Sequence, residues 1–127
     1  MRKSIVLILL AVFMLTSIMG CSSSPQGQDP AKVKVQFVTE PKEGQAGQKL
    51  KLIAKISGLV SEKGANVQFE IRTSDKSVNP KLIKAESIGK GNYEVENVFN
   101  EPGTYTVYIH LYQEELHITK KKELQVT

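Results

Sequence analysis

From Lys32 onward the chain repeats short runs in which apolar and polar residues alternate with a period of two. Such alternation is typical of half-buried β-strands, whose successive side chains point to opposite faces of a sheet. The clearest runs are 33–37, 50–56, 67–71, 93–99, 105–111 and 116–126. A less regular run covers 82–88, and turn-forming segments such as Asn100-Glu101-Pro102-Gly103 separate the runs. No window has the spacing of an amphipathic helix.

This pattern predicts an all-β fold, a single immunoglobulin-like antiparallel β-sandwich of about seven strands. The sheet to which 82–88 belongs stays open at this point. The chain has no tryptophan and one cysteine, so it lacks the buried tryptophan and the inter-sheet disulfide that stabilise the core of antibody domains. Tyr105, two residues after Gly103, is placed to act as a tyrosine corner, with its hydroxyl bonding back to loop backbone.

The first 20 residues differ from the rest of the chain. Two basic residues at 2–3 precede an uncharged, mostly apolar segment at 4–20. These are the parts of an export signal peptide, and the apolar segment is shorter than the roughly 20 residues of a membrane span. Ile18-Met19-Gly20-Cys21 resembles the lipobox of bacterial lipoproteins. The resemblance implies cleavage before Cys21 and a diacylglyceryl group on its sulfur.

The predicted organisation is a lipoprotein signal peptide at 1–20, a lipidated Cys21 with a flexible tether at 21–31, and the β-sandwich at 32–127. The tether is small and polar, and it cannot bury enough apolar surface to fold. Because two acyl chains anchor a protein stably, we expect a cell-membrane location facing outside the cytoplasm. An uncleaved N-terminal anchor and secretion with a free Cys21 are the alternatives. A lipidated Cys21 leaves the mature protein without a thiol.

Charge gives little evidence for a nucleic-acid partner. The whole chain has a net charge of +4, but two of its 17 basic residues, Arg2 and Lys3, lie in the predicted signal. The others nearly balance the 13 acidic residues. Lysines recur at outward positions of two predicted strands, at 49, 51 and 55 and at 32 and 34, and a run of three lysines at 120–122 interrupts the last strand. They indicate either solvated faces and a protected sheet edge or contact with anionic lipid or wall polymer.

Three segments resemble a known family. Gly91–Val95 followed by Phe99–Val107 is similar to the "G-x-Y … F-x-x-P-G-x-Y-x-V" run of YtkA-like domains, and Gly64–Val67 before a strand is also similar. These are small immunoglobulin-like domains of bacterial lipoproteins, related to the FixH group. The resemblance covers roughly Lys32 to the C-terminus and rests on turn and core positions. It implies an extracytoplasmic lipoprotein, and kinship with FixH implies a link to assembly of a copper-containing respiratory oxidase.

The two histidines, His110 and His117, flank a predicted hairpin. A two-residue loop at Gln113-Glu114 would place them directly opposite each other on the outer face, with Cβ atoms about 4.5 to 5.5 Å apart. Two imidazoles at that distance could chelate Zn(II) or Cu(II). A loop at Glu114-Glu115 would remove this pairing. The alternative to a metal site is that both histidines are ordinary exposed side chains on the solvent side of an edge hairpin. Cu(I) is disfavoured because soft sulfur ligands are missing from the predicted mature chain.

Tyr108 and Tyr112 share the predicted outer face with His110. They form a candidate partner-binding patch, with ordinary cross-strand packing as the alternative. Enzyme signatures such as Gly-x-Ser-x-Gly, a phosphate loop or His-Glu-x-x-His do not occur. We therefore predict no catalytic residues, no enzymatic activity and no cofactor apart from the lipid on Cys21.

The sequence thus predicts a membrane-anchored, non-catalytic immunoglobulin-like module that binds another envelope component, either a protein or a polymer. The alternative function is divalent-metal binding at His110 and His117, linked to assembly of a membrane respiratory enzyme. No nucleic-acid partner is expected.

Overall fold

The computed structural model describes residues 27–127, and the predicted signal peptide, Cys21 and the first part of the tether lie outside the described residues. The strands are β1 (Lys34–Glu40), β2 (Lys49–Ser57), β3 (Asn66–Arg72), β4 (Lys81–Lys84), β5 (Glu86–Gly89), β6 (Asn92–Val98), β7 (Gly103–Gln113) and β8 (Leu116–Val126). A single 3-10 turn, Pro30–Lys32, precedes β1.

Two four-stranded antiparallel sheets pack face to face, which confirms the predicted β-sandwich. One sheet has the order β1-β2-β6-β5 and the other β4-β3-β7-β8. The first order is that of strands A, B, E and D of an immunoglobulin domain, and the second is the C, F, G sheet with one more edge strand. The alternation in the sequence explains the core, because inward positions of β2, β3 and β7 supply its largest fully buried side chains. These are Leu50, Leu52, Val67, Phe69, Val107, Ile109 and Leu111.

The run 82–88 forms two strands instead of the single weak strand that its pattern predicts. β4 pairs with β3 and β5 pairs with β6, so the two strands belong to different sheets. The chain changes sheets at Ala85, a buried residue whose N–H donates to the carbonyl of Val67 at 2.8 Å. Leu82 and Ile88 are 60% and 50% exposed, since both strands are short and lie at sheet edges. For this reason the run has no regular apolar face.

Tyr105 forms the tyrosine corner expected from the sequence. Its hydroxyl donates to the carbonyl of Glu101 at 2.7 Å, four residues earlier. Its ring packs edge-on against Phe99, with ring centroids 4.6 Å apart. These two contacts fix the start of β7, the strand that contains His110 and both candidate tyrosines.

The buried side chain of Gln28 helps attach the segment before β1 to the domain. Gln28 is buried, its Nε2 donates to the carbonyl of Gly58 at 3.2 Å, and its Oε1 accepts from the N–H of Val60 at 2.8 Å. Part of the predicted tether at 21–31 therefore lies against the loop between β2 and β3. Within residues 27–127 no helix has the length and apolarity that a membrane span requires.

Candidate functional site

The β7–β8 hairpin has the second of the two registers that the sequence left open. Gln113 pairs with Leu116 and Tyr112 pairs with His117, so the loop is Glu114-Glu115. Of the two loops considered from the sequence, Gln113-Glu114 does not occur, and the directly opposed pair of histidines is absent with it. His110 lies opposite Thr119 instead.

Burial of Gln113 explains this register. Its side chain is on the inner side of the hairpin, and Nε2 donates to the carbonyls of Ser61 and Lys63 at 2.8 Å each. These two hydrogen bonds keep the buried amide of Gln113 paired in the observed register, in which Gln113 is the last residue of β7. In this register Glu114 adopts a φ of 50°, in the left-handed region that favours glycine.

The two histidines nevertheless lie side by side, because they occupy diagonal positions of the hairpin. His110 Nδ1 is 3.5 Å from His117 Nε2, and the ring centroids are 5.7 Å apart. Diagonal neighbours of an antiparallel pair are within reach of aromatic side chains. The Glu114-Glu115 loop thus removes the direct pairing, as expected, but it leaves the two imidazoles next to each other on the diagonal.

A buried carboxylate from β3 holds His110. Glu70 is only 8% exposed, and its Oε2 lies 3.0 Å from His110 Nε2. The other carboxylate oxygen accepts from Nε of Arg72. On its opposite side, His110 Nδ1 lies 3.0 Å from the hydroxyl of Thr119. Both nitrogens of this imidazole thus have defined neighbours.

The charge state of Glu70 determines the proton position on His110. Burial raises the pKa of Glu70, but the hydrogen bonds and charges of Arg72 and His110 lower it by more, so its pKa lies below the ordinary value. An ionised carboxylate only accepts hydrogen bonds, so the facing nitrogen of His110 must carry a proton. In the neutral imidazole the lone pair is then on Nδ1, the atom that faces His117.

Aromatic rings form a continuous row along this face of the sheet. We define the aromatic row as Tyr108, His110, Tyr112 and His117. Successive ring centroids are 6.4, 6.1 and 4.3 Å apart, with interplanar angles of 25°, 18° and 20°. The guanidinium of Arg72 lies 5.1 Å from the centroid of Tyr108 and extends the row.

The structure thus places all four predicted site residues of the domain together on the outer face of one sheet. The sequence reasoning missed Glu70, Arg72 and Thr119. The signal was available for the first two, because Gln68, Glu70 and Arg72 alternate outward in a strand that occupies the C position of an immunoglobulin fold. The C strand pairs with F, which is β7 here.

Other surfaces differ in character from the aromatic row. In residues 27–127 no group of three or more His, Cys, Asp or Glu side chains is arranged to hold a metal ion. A groove of about 710 Å³ lies between β1 and β8, lined by Phe37, Lys42, Leu124 and other residues that do not belong to the row. Lysines of β2 face glutamates of β6, with Lys49–Glu96 and Lys51–Glu94 both at 3.8 Å. The first pair is exposed and the second is half-buried. Pairs that solvent reaches in this way contribute little to stability and fit a solvated face.

Comparison with known proteins supports the fold and leaves the family open. No family model matches the chain, and no curated protein matches it. The segments that resemble YtkA-like domains have structural roles here. Tyr93, Phe99 and Tyr105 pack in or against the core, and a Cβ atom at Gly91 would lie 2.3 Å from the carbonyl oxygen of Ile56.

Two solved structures have a similar fold. The endo-β-1,4-mannanase from Thermotoga petrophila superposes with a TM-score of 0.56 at 12% sequence identity, covering 80% of this chain and 21% of the mannanase. The soluble domain of PmoD from Methylocystis sp. ATCC 49242 (Rockwell) superposes with a TM-score of 0.51 at 17% identity, covering 75% of this chain and 90% of that domain. This chain therefore spans about a fifth of the mannanase. At these identities the likeness shows the β-sandwich fold alone.

Proposed function

We propose that this chain is a membrane-anchored extracytoplasmic lipoprotein of the YtkA-like type, whose domain binds another protein of the cell envelope without catalysis. The lipid on Cys21 would provide the anchor, as the lipobox resemblance implies. The partner would contact the outer face of the β4-β3-β7-β8 sheet, at the aromatic row, Arg72 and Leu82.

The observation that supports this surface most directly is the aromatic row itself. Tyrosine and arginine are enriched among the residues that dominate the energy of protein interfaces. Here Tyr108 and Tyr112 are half-buried and stack on their neighbours, so little side-chain freedom remains to be lost on binding. Leu82 adds an apolar side chain that is 60% exposed at the edge of the same face.

The packing of the rings favours a protein over a polysaccharide partner. One face of Tyr112 is stacked on His117 at 4.3 Å, and Tyr108 lies under the guanidinium of Arg72. A sugar ring binds to a free aromatic face, whereas a protein can contact ring edges, hydroxyls and the flanking charged groups. The buried Glu70 and its partner Arg72 supply such charged groups within the same surface.

Site-specific photocrosslinking in the native host tests this surface. A photoreactive amino acid replaces Leu82, and in a matched control it replaces Lys55, which is exposed on the outer face of the other sheet. We expect one protein adduct from position 82 and no adduct of that size from position 55. The adduct from position 82 should disappear in the double variant Tyr108→Ala with Tyr112→Ala. The same adducts from both positions, or an adduct only with a polymer, would contradict the proposal.

A second function is supported by a separate observation, the 3.5 Å separation of the two histidine nitrogens beside Glu70. This function is divalent-metal binding linked to assembly of a membrane respiratory enzyme, as the FixH-related resemblance implies. The test is respiratory oxidase activity in membranes of the native host. The double variant His110→Ala with His117→Ala should lower that activity, whereas the Lys55→Ala control should not.

A further inference from the structure

We infer that His110 Nδ1 and His117 Nε2 form a two-nitrogen site for Zn²⁺ or Cu²⁺, with Glu70 as the carboxylate that orients His110. The inference rests on side-chain geometry and does not require the protein partner proposed above. It deepens the second function by naming the ligand atoms, and its test in purified protein is separate from the test of oxidase assembly.

The spacing of the two nitrogens suits one ion. Zinc bonds to histidine nitrogen are about 2.0 to 2.1 Å long, so two ligands at a tetrahedral angle are about 3.4 Å apart. The observed separation between His110 Nδ1 and His117 Nε2 is 3.5 Å. This separation is compatible with one ion bound to both imidazoles.

The contact with Glu70 distinguishes this pair from two ordinary surface histidines. Metal-binding histidines almost always donate their other ring N–H to a carboxylate, a backbone carbonyl or water. His110 Nε2 faces the carboxylate of Glu70 at 3.0 Å, on the side of the ring away from His117. Because this contact fixes the proton on Nε2, the lone pair of His110 is directed to the position that an ion would occupy.

Two further contacts restrict the site. The ring of His117 stacks on Tyr112 with centroids 4.3 Å apart. The hydroxyl of Thr119 lies 3.0 Å from His110 Nδ1 and 3.2 Å from His117 Nε2, so it is next to both ligand atoms. It is placed to contact the ion or a water bound to it. Without an ion, the same three atoms can hydrogen-bond one another, so a metal ion must compete with a proton.

The remaining coordination positions face outward on the sheet. His117 is exposed, and no third His, Cys, Asp or Glu of residues 27–127 completes a metal-binding group. An ion bound here would complete its coordination with water, or with water and the Thr119 hydroxyl, in the isolated protein. Such an open arrangement leaves room for a ligand from another molecule.

Titration of the purified full chain tests the site, in detergent and without a polyhistidine tag. Calorimetry with ZnCl₂ and CuCl₂ should show one ion per chain, with Cu²⁺ bound more tightly than Zn²⁺. The imidazole C–H signals of both histidines should shift together in NMR spectra with Zn²⁺. His117→Gln and His110→Gln should each remove binding, and Zn²⁺ should raise the unfolding temperature of the wild type alone.

The role of Glu70 has its own variant and control. Glu70→Gln keeps a side-chain acceptor but removes the charge, and it should weaken Zn²⁺ binding about 10- to 100-fold while both histidine signals still shift. Tyr112→Phe keeps the stacked ring and should leave the affinity unchanged. Absence of binding in folded wild-type protein, or binding that survives His117→Gln, would overturn the inference. One-to-one binding combined with normal oxidase activity of the double histidine variant would confirm the site and contradict the second function.

Discussion

Glu70 Oε2 lies 3.0 Å from His110 Nε2, although the two residues are 40 positions apart in the sequence. The contact joins β3 to β7 on the outer face of the sheet, where charged side chains are normally solvated. Glu70 is instead almost fully buried, and Arg72 holds its other oxygen. The candidate site thus depends on the pairing of distant strands as much as on the hairpin that contains both histidines.

Glu70 makes the stability of the domain sensitive to acid. Its pKa is lower in the folded chain than its ordinary value, because Arg72 and His110 outweigh the opposing effect of burial. Its contribution is therefore present above the unfolded pKa, near 4.3, and is lost as the pH falls through the folded pKa. We expect the urea concentration at which half of the wild-type protein is unfolded to decrease as the pH is lowered below about 5. Glu70→Gln should flatten this part of the curve.

The control for the acid prediction is Glu96→Gln, which removes an exposed carboxylate on the other sheet. Its urea midpoints should follow those of the wild type at each pH, since exposed ion pairs contribute little. If Glu70→Gln left the loss of stability at acid pH unchanged, Glu70 would not be stabilised by its two partners.

Replacement of Glu114 by glycine should stabilise the folded domain. Glu114 has a φ of 50°, and a left-handed conformation costs a non-glycine residue about 1 to 2 kcal/mol. Part of this gain is offset by the greater freedom of glycine in the unfolded chain, so we expect Glu114→Gly to stabilise by about 0.5 to 1 kcal/mol. Equilibrium urea unfolding measures the change. The matched variant Glu115→Gly should destabilise, since Lys90 and Glu114 are the non-glycine residues with positive φ in 27–127. The reverse order would mean that the loop, and so the histidine geometry, is misplaced.

Removal of the Tyr105 hydroxyl should cost about 1 kcal/mol of unfolding free energy, the typical net value of one hydrogen bond. Tyr105→Phe deletes the 2.7 Å bond to the carbonyl of Glu101 and keeps the ring against Phe99. Tyr108→Phe, at a half-buried position of the outer face, should change stability by less than about 0.5 kcal/mol. Urea unfolding measures the loss of unfolding free energy in each variant. Equal losses in Tyr105→Phe and Tyr108→Phe would argue against a tyrosine corner.

Strands with one buried face were predictable from the sequence, since the alternation follows directly from burial. β2, β3 and β7 show this, and Tyr105 was recognised from its place after Gly103. The change of sheets at Ala85 was not predictable, because β4 and β5 are short edge strands with exposed apolar residues. Local pattern contains no information on which sheet supplies their hydrogen bonds.

The site was only partly predictable, for a different reason. Both histidines and both tyrosines were placed on one face by their period-two spacing. The hairpin register depends on Gln113, whose amide binds two carbonyls in the loop between β2 and β3. Such a long-range contact leaves no local signature, and neither candidate loop contained a glycine to decide between them.

The lipid anchor is the part of the proposed function that depends on residues outside 27–127, so it needs a chemical test. If Cys21 is the lipidated first residue of the mature chain, radiolabelled fatty acid should be incorporated into the wild type in cells and should be absent from Cys21→Ala. The same variant should leave the membrane fraction, because two acyl chains account for stable anchoring. Ser22→Ala is the control, and it should keep both the label and the membrane location. Label-free wild-type protein in the membrane would favour the uncleaved anchor, and release into the medium would favour secretion with a free thiol.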